Sequence, residues 1–143
     1  MYALHVEWEI ESTHVLLQRA EELAALGYDG GSRARAICFR DWCLSDLGQT
    51  HEGVRSIGET LSDFRAKGLL RFVPLYLMLL ALVLERSGHR ALALERFDEA
   101  LRLVEITREK WCEAELYRRK GELLRLEGVM QLIRSRRACS GAS

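Results

Sequence analysis

The sequence predicts an all-α fold in which about six helices stack as antiparallel hairpins. One proline, Pro74, occurs in 143 residues, and the chain is rich in Leu, Ala, Glu and Arg, which are good helix formers. Apolar residues recur at helical spacings of three and four, and this pattern returns forty residues later. A repeat of roughly 20 to 50 residues is typical of stacked-repeat proteins. These observations favour an α-solenoid.

The composition predicts one folded domain that is not a general nucleic-acid binder. Apolar residues make up 48% of the chain and charged residues 29%, which excludes a wholly disordered protein. The 21 Lys and Arg residues balance the 21 Asp and Glu residues. Since domains that bind nucleic acid usually carry a basic excess, this balance argues against such a partner.

The cysteines and the apolar runs predict a cytoplasmic protein with no membrane segment. The four cysteines lack zinc-finger spacing and fit a reducing compartment: Cys38, Cys43, Cys112 and Cys139. Acidic residues at positions 7, 9 and 11 interrupt any apolar run there, so we expect no signal peptide. The uncharged run Phe72–Leu84 is shorter than the roughly 20 residues that span a membrane, and it predicts a buried core helix that begins near Pro74.

A forty-residue repeat divides the chain into units. Gly48, Gly88 and Gly128 are evenly spaced. The apolar stripe that follows the first glycine aligns with the stripe that follows the second: Val54, Ile57, Leu61 and Phe64 match Leu94, Phe97, Leu101 and Val104. A glycine just past a helix favours the left-handed conformation that ends it, and a short turn there makes the neighbouring helices antiparallel.

The repeat predicts six helices in a domain over residues 1–128. Their expected bounds are Ile10–Leu26, Arg33–Leu47, Glu52–Lys67, Pro74–Ser87, Arg90–Thr107 and Trp111–Glu127. They group into a partial unit over 8–27, full units over 33–67 and 73–107, and a partial unit over 111–127. The segment 28–32 is predicted to be a loop, with Ser32 as the N-cap of the next helix.

The tail 129–143 is basic and lacks the apolar stripe of the earlier units. It contains Arg134, Arg136 and Arg137 and no acidic residue. We therefore expect a disordered tail and a third unit without its second helix, as in a fragment of a longer protein. The open end would expose an apolar face through which the chain self-associates.

The second unit resembles a tetratricopeptide repeat (TPR). In the segment Leu92–Leu101, Ala93, Phe97 and Ala100 occupy the small, aromatic and small positions of the second helix of that motif. Ala81 matches the small residue of its first helix, and Gly121 does so in the third unit. Such small residues let two helix backbones pack closely.

A more specific resemblance covers residues 4 to 127. The segments that carry it are 41–48 (DWCLSDLG), 74–81 (PLYLMLLA) and 109–124 (EKWCEAELYRRKGELL). They are similar to the C-terminal repeat region of large bacterial regulators, which carry a class III adenylate/guanylate cyclase or transcription-factor domain and a P-loop ATPase domain. Asp41 departs from the pattern at a small-residue position, and neither cyclase nor ATPase residues are present.

The residues provide no reaction centre, so we expect no enzyme activity, metal or cofactor. The segment 51–55 begins like an HExxH zinc site but has Arg55 in place of the second histidine. Gly48 and Gly53 have P-loop spacing, yet Val54 and Arg55 follow in place of the lysine and hydroxyl residue.

The resemblance implies a non-catalytic protein-interaction domain with a concave groove lined by the first helix of each unit. The residues implied to face the groove are Cys38, Trp42, Ser45, Leu75, Met78, Leu82, Glu85, Glu115, Arg118, Glu122 and Arg125. Two alternatives stay open: the apolar members hold a peptide or helix, or they pack against neighbouring units that this chain lacks. The partner is then a separate protein or peptide, or an upstream ATPase or cyclase domain that the repeats restrain as a sensor or spacer.

Overall fold

The fold is all-α, as the sequence predicts. The computed structural model describes residues 15, 17–19, 21, 22, 25, 26, 36, 39, 40, 42–44, 48 and 50–140. These residues form helices and turns, with no strand among them. Four helices have defined bounds: α1 (Thr50–Ala66), α2 (Val73–Arg86), α3 (Arg90–Thr107) and α4 (Glu113–Ser140). Short 3-10 helices, Leu70–Phe72 and Lys110–Cys112, precede α2 and α4.

The helix positions agree closely with the repeat. Helix α3 has the predicted bounds, and α1 and α2 differ from theirs by one or two residues at each end. Helical residues also occur at positions 15–25 and 36–44, where two earlier helices are predicted. The predicted loop 28–32 with its N-cap Ser32, and the departure at Asp41, lie outside the described residues.

The end of α4 differs from the prediction. The sequence places the end of this helix near Glu127 and a disordered tail after it. In the structure α4 is 28 residues long and ends at Ser140. The tail contains no proline, and its Leu, Ile, Met, Arg and Ala residues tolerate or favour a helix. Gly128, the third glycine of the repeat, therefore lies inside a helix, where it costs about 1 kcal/mol relative to Ala.

Glycine ends α1 and α2 by the same hydrogen-bond arrangement. Gly88 has a φ of 83°, its N–H donates to the Glu85 carbonyl, and the next N–H donates to the Leu84 carbonyl. This is a Schellman motif, which needs a residue in the left-handed region. The same pair of bonds forms around Gly68, with a φ of 68°. The repeat predicts the ending at Gly88 but not the one at Gly68.

Helix α2 is the centre of the core. All of its residues from Val73 to Leu84 are buried except Leu80, which is partly exposed. Pro74 lies in the first turn, where its missing N–H costs no hydrogen bond. The buried helix predicted from the uncharged run is therefore confirmed.

Each helix packs chiefly against its neighbours along the chain. The most extensive interface joins α2 to α3 across the turn at Gly88, followed by α1 with α2 and α3 with α4. The apolar stripes of α1 and α3 face this core, because Ile57, Leu61, Phe64, Phe97, Leu101 and Val104 are all buried. Their two first members, Val54 and Leu94, are partly buried against it. The Phe64 and Tyr76 rings lie 5.2 Å apart between α1 and α2.

Ion pairs connect α3 to both α1 and α4. Arg65 at the end of α1 pairs with Glu99 in α3. Lys120 in α4 pairs with Asp98 at 2.5 Å, which holds α4 against α3. Each pair is partly exposed, so it contributes little free energy and mainly sets the position of one helix on the next.

The first half of helix α4 packs against the hydrophobic core. Leu116 and Leu123, two turns apart on one face, are fully buried. Every residue from Gly128 to Ser140 is exposed. Gly121 is also exposed, and a Cβ there would meet nothing within 4 Å. The close helix contact that the family resemblance implies at Gly121 is thus not made by the described residues.

We expect Leu123→Ala to lower the free energy of unfolding by about 2 to 5 kcal/mol, because it leaves a cavity beneath α4. The neighbouring substitution Leu124→Ala should change it by less than about 0.5 kcal/mol, because Leu124 is exposed. Urea unfolding followed by circular dichroism measures both values. Equal losses in the two variants would contradict the described packing of α4.

Candidate interaction surface

The predicted apolar groove is not open. Leu75, Met78, Leu82 and Trp42 are expected at its surface, yet all four are buried in the core. Helix α2 is apolar on every side, and such a helix is stable only when it is enclosed. The guanidinium of Arg86 also lies over the Trp42 ring, 5.7 Å from its centre. These residues therefore pack against this chain's own helices, which neither of the two alternatives predicted.

Two further groove residues, Cys38 and Ser45, lie outside the described part of the chain. The remaining predicted residues keep some exposure. Glu85 and Glu115 are partly exposed, and Arg118, Glu122 and Arg125 are exposed. What is left of the predicted groove is therefore charged and lies mainly on α4.

Four charged side chains on α4 form a continuous network, which we call the charged strip: Glu115, Arg118, Arg119 and Glu122. Arg118 donates two hydrogen bonds to the Glu115 carboxylate, at 2.6 and 2.7 Å, and one to Glu122 at 2.6 Å. Arg119 donates to Glu115 at 2.9 Å. Spacings of three and four residues place all four side chains on one side of the helix. The family resemblance implied three of them as groove residues; Arg119 was missed, although its spacing of four residues from Glu115 is the signal for it.

The pKa values of Glu115, in the charged strip, and of Glu85, on α2, are shifted in opposite directions. Hydrogen bonding to Arg118 lowers the pKa of Glu115 to about 2, with a further contribution from Arg119. Glu85, at the end of α2, lies across from the strip. Burial raises the pKa of Glu85 above its usual value, while Arg119 acts in the opposite direction. Glu115 is thus a permanently ionised acceptor near neutral pH, which suits a structural ion network better than proton transfer.

The exposed side of α4 continues beyond the charged strip as an apolar patch. Its residues are Leu126, Val129, Met130 and Ile133, which we call the apolar patch. They recur at spacings of three and four, and they follow Glu115 and Glu122 along the same side of the helix. The charged strip and the apolar patch therefore follow each other along the same side of α4.

The described residues include a buried thiol at Cys112. Burial raises the pKa of the Cys112 thiol to about 11, so it stays protonated and unreactive near neutral pH. Among the residues that the structure describes, no three His, Cys, Asp or Glu side chains are placed to hold a metal ion. Within the same residues, no helix combines the length and the apolar character that crossing a membrane requires.

Two shallow cavities lie away from the charged strip. One, of roughly 460 Å³, lies at the turn between α1 and α2, where Phe64, Leu69 and Phe72 line it. The ion pair between Arg71 and Glu109 lies at its edge. The other, of roughly 230 Å³, separates the Gly88 turn from α4. Both are open to solvent; the lining of the second includes Arg90, Glu127, Gln131 and Arg134.

We expect Glu115→Gln to lower the free energy of unfolding at neutral pH, because a neutral amide accepts weaker hydrogen bonds from the two arginines. The folded pKa lies below the unfolded value of about 4.3, so ionised Glu115 stabilises the fold above that pH and loses this effect as the pH falls through about 2. The difference between the two proteins should therefore shrink below about pH 4.3. Urea unfolding at a series of pH values measures it, with Glu105→Gln, at an exposed position of α3, as the control. A difference that stays constant down to pH 2 would contradict the assignment.

Comparison with known proteins adds no relative. No protein-family model matches the chain, and neither the curated proteins nor the solved structures contain a match.

Proposed function

We propose that this chain is a non-catalytic, TPR-like helical-repeat domain that binds a protein or peptide, and that it belongs to a cytoplasmic bacterial signalling regulator. The observation that carries the proposal is the exposed side of α4, where the charged strip is followed by the apolar patch. Helix pairs of this kind bury one face in the core and leave another for partners. The similarity of segments 41–48, 74–81 and 109–124 to the repeat regions of such regulators supports the same role.

The surface determines the kind of partner. The charged strip contains two acids and two bases, so it offers no net charge to attract a polyanion. An amphipathic helix laid along α4 would contact the apolar patch with its apolar residues and the charged strip with mixed charges. Recognition of a helix by side chains at spacings of three and four is a common binding mode. The partner is thus a protein segment rather than a nucleic acid or a membrane.

We expect Val129→Asp to weaken partner binding by roughly tenfold or more, because it places a charge in the apolar patch. A matched control is Leu92→Asp on α3, since Leu92 is 43% exposed and Val129 is 44% exposed. The full chain serves as bait, and each captured protein is then purified and titrated by calorimetry. If the two variants bind the partner with equal affinity, the apolar patch is not the binding surface.

The same titration separates the two classes of partner. Binding to a separate protein supports the interaction domain. Binding confined to ATPase or cyclase domains of the chain's own larger protein supports the sensor or spacer instead. The two outcomes are distinguished by which purified protein or domain gives a measurable heat of binding when it is titrated with the chain.

We expect no saturable rise in the Tm when ATP, cyclic nucleotides or zinc are added. A ligand at one hundred times its Kd stabilises a fold by about 2.7 kcal/mol, which a thermal-shift measurement detects readily. A clear, saturable shift with any of these compounds would contradict the non-catalytic assignment and indicate a nucleotide or metal site.

A further inference from the structure

Two pairs of arginines lie on the same side of α4, one before the apolar patch and one after it. Arg118 and Arg119 precede the patch, and Arg136 and Arg137 follow it eighteen residues later. Eighteen residues make five turns of a helix, so each arginine of the second pair points in the same direction as its counterpart in the first. The apolar patch therefore lies between two arginine pairs on one side of the helix.

The first of these pairs is neutralised by acids of its own helix. Glu115 accepts hydrogen bonds from both Arg118 and Arg119, and Glu122 accepts one from Arg118. The acids stand three or four residues from the arginines, which is the spacing at which side chains on a helix surface meet. The first pair is thus satisfied within α4 and needs no charge from a partner.

The second pair, Arg136 and Arg137, which we call the arginine pair, has no such acids. Glu127 is the last acidic residue of the sequence, so the positions three and four residues from either arginine hold none. Both arginines are exposed, and neither forms an ion pair within the described residues. Their charge is therefore available to a ligand that binds the apolar patch beside them.

The apolar patch and the arginine pair form one continuous stripe. Arg136 and Arg137 follow Ile133 by three and four residues, and Arg137 follows Met130 by seven. These spacings keep the side chains on one side of a helix. A ligand that covers the patch from Leu126 onwards therefore meets two guanidinium groups at the end of its contact.

We propose that this stripe binds an amphipathic helix of the partner, antiparallel to α4, with Asp or Glu residues in its first turn and apolar residues after them. The inference rests on the proposed function, because it specifies the partner of the same apolar patch. The apolar side chains of the partner cover the patch, which extends about 10 Å along the helix from Leu126 to Ile133. Its carboxylates then lie beside the arginine pair, and guanidinium groups bind carboxylates with paired hydrogen bonds.

The helix dipole favours the antiparallel orientation. Acidic residues stabilise a helix when they lie in its first turn, and basic residues do so in its last turn. Arg137 lies in the last turn of α4, and Arg136 directly precedes it. An antiparallel partner begins where α4 ends, so its first-turn acids meet the arginine pair. In a parallel partner the acids at this level would lie in the last turn, where the dipole disfavours them.

A lipid surface fits the stripe less well than a helix does. A helix that lies on a membrane buries its apolar face and keeps its basic residues on the opposite face. On α4 the arginine pair continues the apolar stripe, and Arg137 points the same way as Leu126, about three turns earlier. Burying the apolar patch among acyl chains would therefore bury the Arg137 charge with it, which is costly without a counter-charge.

Three synthetic peptides, stapled so that they are equally helical, test the chemistry of the partner. All carry the same leucines at spacings of three and four. One has two glutamates in its first turn, the second has glutamines there, and the third has the two glutamates in its last turn. Each is titrated into the full chain by calorimetry.

At low salt the first peptide should bind roughly fivefold or more tightly than either of the others, because only its acids reach the arginine pair. This advantage should disappear in about 1 M salt, where such charges are screened. Equal affinity of the first and second peptides would overturn the acidic preference, and equal affinity of the first and third would overturn the orientation. If no peptide binds, the inference is wrong.

Variants of α4 test whether the arginine pair causes the preference. The double variant Arg136→Gln, Arg137→Gln should bind the first two peptides equally, with an unchanged affinity for the glutamine peptide. Arg134→Gln is the matched control and should keep the preference, since Arg134 is exposed on the same helix but lines the cavity at the Gly88 turn. A preference that survives the double variant, or that the control abolishes as well, would overturn the assignment.

Val129→Asp separates this inference from the proposed function. It should weaken the binding of all three peptides, because it disrupts the apolar patch that they share. If the glutamates give no advantage but Val129→Asp still weakens binding, the inference fails and the interaction surface stands. If Val129→Asp has no effect on the peptides or on a captured partner, both fail.

Vesicles of phosphatidylcholine, with and without phosphatidylserine, test the lipid alternative. We expect no binding that depends on the apolar patch. Binding to the anionic vesicles that is lost both in Val129→Asp and in the double arginine variant would overturn the proposal and assign the stripe to a membrane surface.

Discussion

The enclosure of α2 between α1 and α3 is the constraint on which the other features depend. A helix with no charged residue from Val73 to Leu84 cannot lie at a surface in water, so the polar helices on both sides must cover it. Their stripes, with Ile57 on α1 and Phe97 on α3 fully buried, are what the repeat in the sequence encodes. Because α2 uses all its sides for this, it has none left for a partner. The proposed binding surface therefore lies on α4, whose second half is exposed.

Much of the fold was predictable because the signals are local. Helix periodicity, Pro74 in a first turn and Gly88 after a helix each depend on a few neighbouring residues, and they placed α1, α2 and α3 within about two residues of the observed bounds. The length of α4 was not predictable in the same way. Its last residues lack an apolar stripe, which indicates only that they do not pack, and the absence of packing is compatible with an exposed helix.

The candidate site was predicted less well than the fold. Residues such as Met78 and Leu82 carry the same apolar signal whether they line a groove or fill a core, and only the three-dimensional arrangement separates the two cases. The charged residues Glu115, Arg118 and Glu122 were implied by the family resemblance as groove residues and not as an ion network. Their spacing is nevertheless that of ion pairs on a helix surface. Gly128 shows the limit of the repeat as a guide. The forty-residue spacing indicated a glycine that ends a helix, whereas Gly128 lies inside α4.

The sequential packing of the helices has a consequence for how the chain reaches its fold. The interfaces of α1 with α2, α2 with α3 and α3 with α4 all join segments that are close in the chain, which corresponds to a low contact order. Proteins dominated by local contacts fold rapidly, since little loop-closure entropy is lost before contacts form. The α2–α3 hairpin, with the shortest connection and the most extensive interface, is the natural nucleus. Growth from it would add α1 on one side and α4 on the other, so the exposed half of α4 would be the last element to order and the first to fray.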